Sequence, residues 1–438
     1  MGKLRLLAML VIVFIIGRAD VVEAFNFDEK IYKNVYVDKL DLSGLTRKEA
    51  RQKVNSYVEE NRCFVLIYKN QEIIIDKNEF DVDYQINNLV EQAYNVGRNE
   101  DIISNIKTQI NLGKGNKTVI PFKCNYNISK IDKLIDDLDS KIYISPVDAT
   151  AKISNGEVVV TAEKYGQAVD KDKLKEIITY KIKNLNCEKS QLPIKIIEPK
   201  YTYAELKKID TLLGSYETYF NSNNKSRANN INVAADSTSN IIIDTNEKFS
   251  FNNALEEKGA RNKLKMASII LNGKPNKGLG GGICQVSTTI YNAALYAGMD
   301  IVSVTNHSIP SVYIAKGRDA TVSDGYIDFV FQNKNKNPII IYNQVIGNTI
   351  ISRIYGSKED KKNIEIKTEI VKVIKNKTIY KNDSNLGKGA KVVEQEGRLG
   401  YTVNTFRLYK TEGGISKKEL VNTSYYPPRD EIILVRNK

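Results

Sequence analysis

The sequence predicts an α+β chain of several domains, and three observations carry that prediction. Between Lys30 and Thr202 a unit of strand, turn, strand and helix occurs twice, roughly 85 residues apart. A glycine-rich loop, Gly278 to Gly282, then runs straight into a stretch of helical periodicity with Cys284 at the junction. Beyond Gly356 the apolar residues alternate as in strands, punctuated by spaced glycines. The expected architecture is a duplicated α+β N-terminal region, a mixed α/β domain with a cysteine at a helix N-terminus, and a small β-rich C-terminal module. A length of 438 residues with 42% hydrophobic content suffices for roughly two to four such domains.

The chain opens with Lys3 and Arg5, an apolar run from Leu6 to Gly17, and Val22-Glu23-Ala24. That outline predicts a signal peptide or short anchor over residues 1–24, with cleavage after Ala24 as the first reading. The run is shorter than the ~20 residues of a spanning helix. Membrane contact is therefore expected only through this segment, if uncleaved, and the bulk of the chain is expected outside the cytoplasm.

The two repeats are placed at residues 30–125 and 126–202. Tyr68-Lys-Asn-Gln-Glu-Ile-Ile-Ile75 and Ile153-Ser-Asn-Gly-Glu-Val-Val-Val160 each set a turn dipeptide before β-branched residues, and helical stretches follow near Asn87 to Val96 and Lys171 to Ile182. Before the first unit, Thr46 and Glu49 have the spacing of a capping box. A helix-like start at Ala204 to Ile209 leads to the polar tract Asn221 to Lys225, where the domain boundary is expected. Ser226 to Ala235 reads as the helix that enters the central domain, residues 226–356. The charged stretch Ser357 to Lys362 reads as a linker, and residues 363–438 form the β module, with strands expected at Ile364 to Val373, Lys391 to Gln395, Thr402 to Tyr409 and Ile432 to Val435.

After Cys284 the apolar positions Val286, Ile290, Ala293, Ala294 and Ala297 fall on one helix face, and Gly298 is a natural stop. Cys284 is thus expected in the first turn, where unpaired N–H groups and the helix dipole favour the thiolate form. Gly280, Gly281 and Gly282 permit close approach of a substrate backbone and left-handed conformations that aim N–H groups at an oxyanion. The chain has a single histidine, His307, the only imidazole available as a general base. Acids that follow it are Asp319 and Asp328. A cysteine among small apolar residues also suits a buried core thiol, and the glycines and lone histidine are what favour the nucleophile. The order cysteine, histidine, acid is shared by papain-like and transglutaminase-like enzymes.

Phe249-Ser250-Phe251-Asn252, Gly280 through Thr289, Tyr291-Asn292-Ala293-Ala294, His307-Ser308 and Gly317-Arg318-Asp319-Ala320-Thr321-Val322 together resemble the VanW domain over roughly residues 226–356. Some VanW-domain proteins are peptidoglycan L,D-transpeptidases with a cysteine nucleophile. The resemblance implies Cys284 as nucleophile; the residues themselves offer His307 as its base and Asp319 as the acid, with Asp328 the alternative. Gly281, Gly282, Ser287 and Arg318 are expected to contact substrate, Arg318 through a stem-peptide carboxylate. The N-terminal repeats are similar to the peptidoglycan-binding domain that often precedes VanW domains. Gly389, Gly397, Gly400 and Gly414 are spaced as in the five-glycine domain, whose fifth glycine is replaced near Val435-Arg436.

The expected partners are peptidoglycan stem peptides and, given a net charge of +13, anionic wall polymers. Nucleic acid is not expected, since the lysines are dispersed and the chain reads as exported. A nucleotide reading of the glycine loop fails because no lysine follows the glycines as in a P-loop. No metal and no cofactor are expected, because one histidine and no CxxC motif give nothing to assemble a site. Cys63, Cys124 and Cys187 are scattered, and their pairing is left open by the sequence. Transfer, hydrolysis by a cysteine endopeptidase or amidase, and a non-catalytic wall-binding scaffold are the three readings that remain.

Overall fold

The computed structural model describes residues 29–154, 156–271 and 274–436, so the expected signal or anchor segment lies outside the described residues. Among the described residues no helix is long and apolar enough to cross a membrane. The chain divides into two compact units, one of residues up to Pro146 with Tyr165–Glu198, the other of Val147–Lys164 with everything from Pro199 onward.

In the first unit, Val35–Val37 lies between Leu40–Asp41 and Thr118–Ile120, antiparallel to the former and parallel to the latter. The helix Arg47–Glu60 begins in a full capping box between Thr46 and Glu49, as that spacing predicts. Ala50 and Val54 on its inner face join Val35, Val37, Leu89 and Val90 in one core. A second core gathers Phe64, Leu66 and Ile75 with the inward faces of the helices Ile128–Ile142 and Lys171–Lys183. The hairpin Cys63–Tyr68 with Gln71–Asp76 turns at Lys69 and Asn70, both at positive φ, the geometry that keeps two-residue hairpins in twist.

The second hairpin, Thr150–Ser154 with Glu157–Thr161, has the same sequence pattern but a different setting. It belongs to the second unit, where Ala149, Ala151 and Ile153 share a core with Leu206, Ile209, Ile340 and Tyr355. The two hairpins look alike in sequence because each must bury one β-branched face. What each face is buried against is fixed elsewhere in the chain.

The central sheet of the second unit has the strand order Thr211–Tyr219, Thr349–Gly356, Ile339–Ile346, Ile241–Ile243, all antiparallel. The polar tract Asn221–Lys225, where the boundary is expected, lies inside this unit: the strand before it pairs with Thr349–Gly356, and Asn224 caps the helix Lys225–Ser237 after it. The helix carrying the cysteine, Ile283–Ala297, packs on the sheet at Gly214. A Cβ on Gly214 would stand 2.4 Å from the carbonyl oxygen of Ala293 and from the amide nitrogen of Ala297, so only glycine allows this approach. The core around the helix comprises Val286, Ile290, Tyr291, Ala293 and Ala294 with Phe249, Phe329 and Phe331.

The stretch Ser357–Lys362 is not a loose linker. It contains a short turn of helix, Lys358–Asp360, whose buried Asp360 accepts hydrogen bonds from the backbone of Lys336 and Asn337 and the Asn337 side chain. Beyond it, Ile364–Ile374, Gly400–Thr411 and Gly414–Tyr426 form one antiparallel sheet, and Thr378–Asn382, Glu431–Val435 and Lys391–Gln395 form another. The four strands read from the sequence are present; Thr378–Asn382, exposed at every position, and Gly414–Tyr426, exposed over most of its length, are additional.

Candidate functional site

The site is built around the first turn of the Ile283–Ala297 helix, of which Cys284 is the second residue. Gly280 and Gly282 adopt positive φ, +80° and +117°. Gly281 does not, yet a Cβ there would meet the Ser268 carbonyl oxygen at 2.5 Å, so the loop must be bare for the hairpin strand Met266–Leu271 to pass. Gly298 ends the helix in the left-handed conformation. The loop and the helix start are therefore set by backbone sterics before any side-chain chemistry.

Side chains of the same helix then hold the segment that carries the acid. Ser287 Oγ donates to the Ala320 carbonyl oxygen at 2.7 Å, and Thr288 Oγ1 accepts from the Ala320 amide at 3.0 Å. These bonds fasten Asp319–Val322 alongside the first two turns. The Cys284 thiol accordingly donates to the Val322 carbonyl oxygen at 3.4 Å. Ser287 is fully buried and its second bond returns to the Cys284 carbonyl oxygen. It braces the site from inside, which corrects its expected role as a substrate contact.

His307 is brought to the same place by the loop after the strand Asp300–Ser303. Its Nδ1 lies 2.7 Å from Asp319 Oδ2, and its backbone N–H donates to the same oxygen, also at 2.7 Å. Ser311 Oγ is 3.3 Å from Nδ1. The imidazole is 15% exposed and Asp319 1%. Burial alone would push the imidazole pKa down, but hydrogen bonds and charge from Asp319 and Cys284 outweigh it and raise His307 to about 9. Asp319 thus holds His307 by two hydrogen bonds, and Cys284 is the other group whose charge acts on the imidazole.

Asp328 has other work. It accepts from Ser250 Oγ at 2.5 Å and from the Asn252 amide at 3.0 Å, and so secures the start of the helix Phe251–Glu257. This accounts for the Phe-Ser-Phe-Asn motif structurally and removes Asp328 as the alternative acid. Arg318 faces the cysteine helix further along, and one of its guanidinium nitrogens is buried without a partner among the described residues. Its Nε donates to Asn292 Oδ1 at 2.7 Å and its guanidinium lies over the rings of Tyr216 and Tyr296. Asn292 is eight residues along the helix from Cys284, about 12 Å at 1.5 Å per residue.

Three residues around the site are not legible in the sequence. Tyr313 stands beside Cys284, Ser311 and Thr288, and burial foremost raises its phenol pKa. Arg227 donates to Gln285 Oε1 at 2.8 Å and its side chain lies against Gly282, next to the first turn. Tyr426, at the end of a strand of the C-terminal module, donates its hydroxyl to Asp319 Oδ1 across 107 residues of sequence. Nothing marks these among 25 tyrosines and the many basic residues of a single sequence. The other cysteines, Cys63, Cys124 and Cys187, are free thiols in the first unit.

Residues 226–355 match the family model described as "VanW like protein", residues 73–189 that described as "Putative peptidoglycan binding domain", and residues 365–437 the "G5 domain". The chain is 38% identical over 227 residues to the uncharacterized protein YoaR of Bacillus subtilis, a match covering 51% of this chain and 73% of that protein. It is 27% identical over 135 residues to the vancomycin B-type resistance protein VanW of Enterococcus faecalis, covering 30% of this chain and 49% of that one. Solved structures similar to it are the G5 domain of an IgA1 protease, 25% identical, covering 18% of this chain and 94% of that one with a TM-score of 0.15, and HP0197-G5, 19% identical, covering 16% and 96% with a TM-score of 0.12. With the glycine loop, the cysteine helix and the histidine loop all inside the matched central region, the chain belongs to the VanW/YoaR family.

Proposed function

We propose that this protein is an extracytoplasmic, cell-wall cysteine L,D-transpeptidase. The observation that carries the reading is that His307, held by Asp319 through two hydrogen bonds, stands close enough to Cys284 for each to act on the other's charge, at the mouth of a glycine-rich loop. With Nδ1 engaged by Asp319, Nε2 is the imidazole nitrogen that serves the thiol. Cys284 attacks the carbonyl carbon of the peptide bond before the terminal D-residue of a stem peptide. The C–N bond breaks, the D-residue leaves with a proton from His307, and a thioester remains. The side-chain amine of a neighbouring stem attacks the thioester, His307 takes the amine proton and returns it to the sulfur, and a new amide joins two third-position residues. One amide replaces another, so neither cofactor nor oxidant enters. Backbone N–H groups of Cys284 and a neighbour in the first turn receive the oxyanion, because a helix start leaves such donors unpaired.

The peptidoglycan-binding and G5 matches and the relative named for vancomycin resistance support placement at the cell wall. Incubation of the purified protein with stem-tetrapeptide muropeptides, followed by mass spectrometry, tests the reaction. Dimers lighter by one D-residue are expected. Shortened monomers would convert the reading to hydrolysis, with water in place of the amine, and unchanged muropeptides would leave a wall-binding scaffold.

A further inference from the structure

The C-terminal module does more than follow the central domain: it reaches into the candidate site. Tyr426 is fully buried, donates its hydroxyl to Asp319 Oδ1, and accepts the Gly317 amide at 2.7 Å. Asp319 Oδ2 meanwhile takes both the backbone N–H and the Nδ1 of His307. The carboxylate therefore has one oxygen committed to the module and the other to the histidine. Rotation about its Cβ–Cγ bond would break both sets of bonds at once. The strand end that carries Tyr426 is itself anchored, since Asn306 and the Tyr425 backbone exchange two hydrogen bonds, of 2.8 and 3.2 Å. Thr405 Oγ1 donates to the Gly317 carbonyl oxygen at 2.6 Å, and buried Arg407 to the Met299 carbonyl oxygen at 2.8 Å.

We propose that Tyr426 is a positioning residue of the cysteine site: its hydroxyl, supplied by the C-terminal module, holds the Asp319 carboxylate turned towards His307. This rests on the transpeptidase reading for its place in a reaction, but the geometry it describes can be read without substrate. Burial, and the Asp319 charge beside it, raise the phenol pKa, so at ordinary pH the hydroxyl keeps its proton and donates it. The groups around His307 are Asp319, Cys284 and Ser311, with Tyr313 beside Cys284 and Ser311 and Tyr426 acting through Asp319. Freed of Tyr426, the carboxylate is held on one side only and its support of the imidazolium weakens.

The test uses the full chain and its single histidine, whose ring signals titrate alone in an NMR spectrum. In Tyr426→Phe the His307 midpoint is expected to fall by about one unit, a tenfold change in proton affinity, and alkylation of Cys284 by iodoacetamide near neutral pH to slow. A midpoint that stays in place or rises overturns the proposal, because the hydroxyl would then be a structural contact or only a drain on the carboxylate's charge. Should Tyr426→Phe not fold, the unmutated protein decides. The downfield hydroxyl proton of Tyr426 is expected to move with the midpoint of His307, and a hydroxyl shift flat through that titration overturns the proposal. Neither readout needs turnover, so a failed muropeptide assay and a failed positioning role are told apart. Where turnover is present, kcat in Tyr426→Phe is expected to fall about tenfold with KM little changed, as for loss of an interaction that matters after binding.

Discussion

At Cys284 a single sulfur atom stands against Val322 and His307 in a glycine-flanked first turn. Its replacement by alanine removes little volume and is expected to leave the fold intact while abolishing thioester formation, read by mass spectrometry of the protein trapped with a stem peptide. Cys63→Ala, Cys124→Ala and Cys187→Ala, all in the first unit, are expected to retain activity; a Cys284→Ala protein that still cross-links defeats the assignment. His307→Gln keeps a hydrogen-bonding side chain but cannot accept and return a proton. It is expected to lower turnover by about two to four orders of magnitude and to slow Cys284 alkylation in parallel. Asp319→Asn tests the acid by pH. Because the His307 pKa is raised in the folded chain, to about 9 from an ordinary value near 6.5, its protonation contributes stability that is fully present below about pH 6.5 and lost as pH rises through about 9. The melting temperature of the unmutated protein should therefore fall across that window, and Asp319→Asn should flatten the fall. An equally steep fall in the variant would show that Asp319 does not hold the imidazolium.

Among the elements, the cysteine helix was the most legible in sequence, because its start, its apolar face and its glycine stop are all local signals. The structure gives it Ile283 to Ala297 with Gly298 left-handed. The capping box at Thr46 and Glu49 and the hairpin turn at Lys69-Asn70 are local in the same sense. The surroundings of Arg318 and Asp328 are hard to read from sequence for the opposite reason. Their types suited a carboxylate ligand and a third catalytic acid, but their partners, Asn292 and Ser250, are set by packing at 26 and 78 residues' separation. Tyr426 was illegible because its bond to Asp319 exists only once two modules are docked. Helix packing supplies its own prediction. Gly214→Ala places a methyl group against the backbone of the cysteine helix, where neither a rotamer change nor a flexible partner can relieve it, and is expected to cost about 1–3 kcal/mol in denaturant unfolding. An unchanged midpoint would mean that the helix does not sit on the strand at Gly214.

Over the whole molecule, the division into units does not follow the chain in simple succession. It passes from the first unit into the second at Val147, returns at Tyr165, and leaves again after Glu198. A protein begun at Pro199, the cut that the order of domains in sequence would suggest, therefore lacks the Thr150–Thr161 hairpin. Ala149, Ala151 and Ile153 are then gone from the core that covers Ile340 and Tyr355, two residues of the central sheet on which the cysteine helix also packs. Losing the cover from an isoleucine and two alanines should cost roughly 2–5 kcal/mol, the range for emptying a large side chain's place in a core, and leaves an apolar patch open to association. The expected outcome is a protein that melts well below the full chain and aggregates on heating. Supplying Val147–Lys164 joined by a short flexible linker to Pro199 should restore most of the lost stability without any other part of the first unit. If the protein begun at Pro199 melts with the same midpoint as the one that carries the hairpin, the hairpin is a passenger on the second unit, and its resemblance to Cys63–Asp76 would be the better guide to where it belongs.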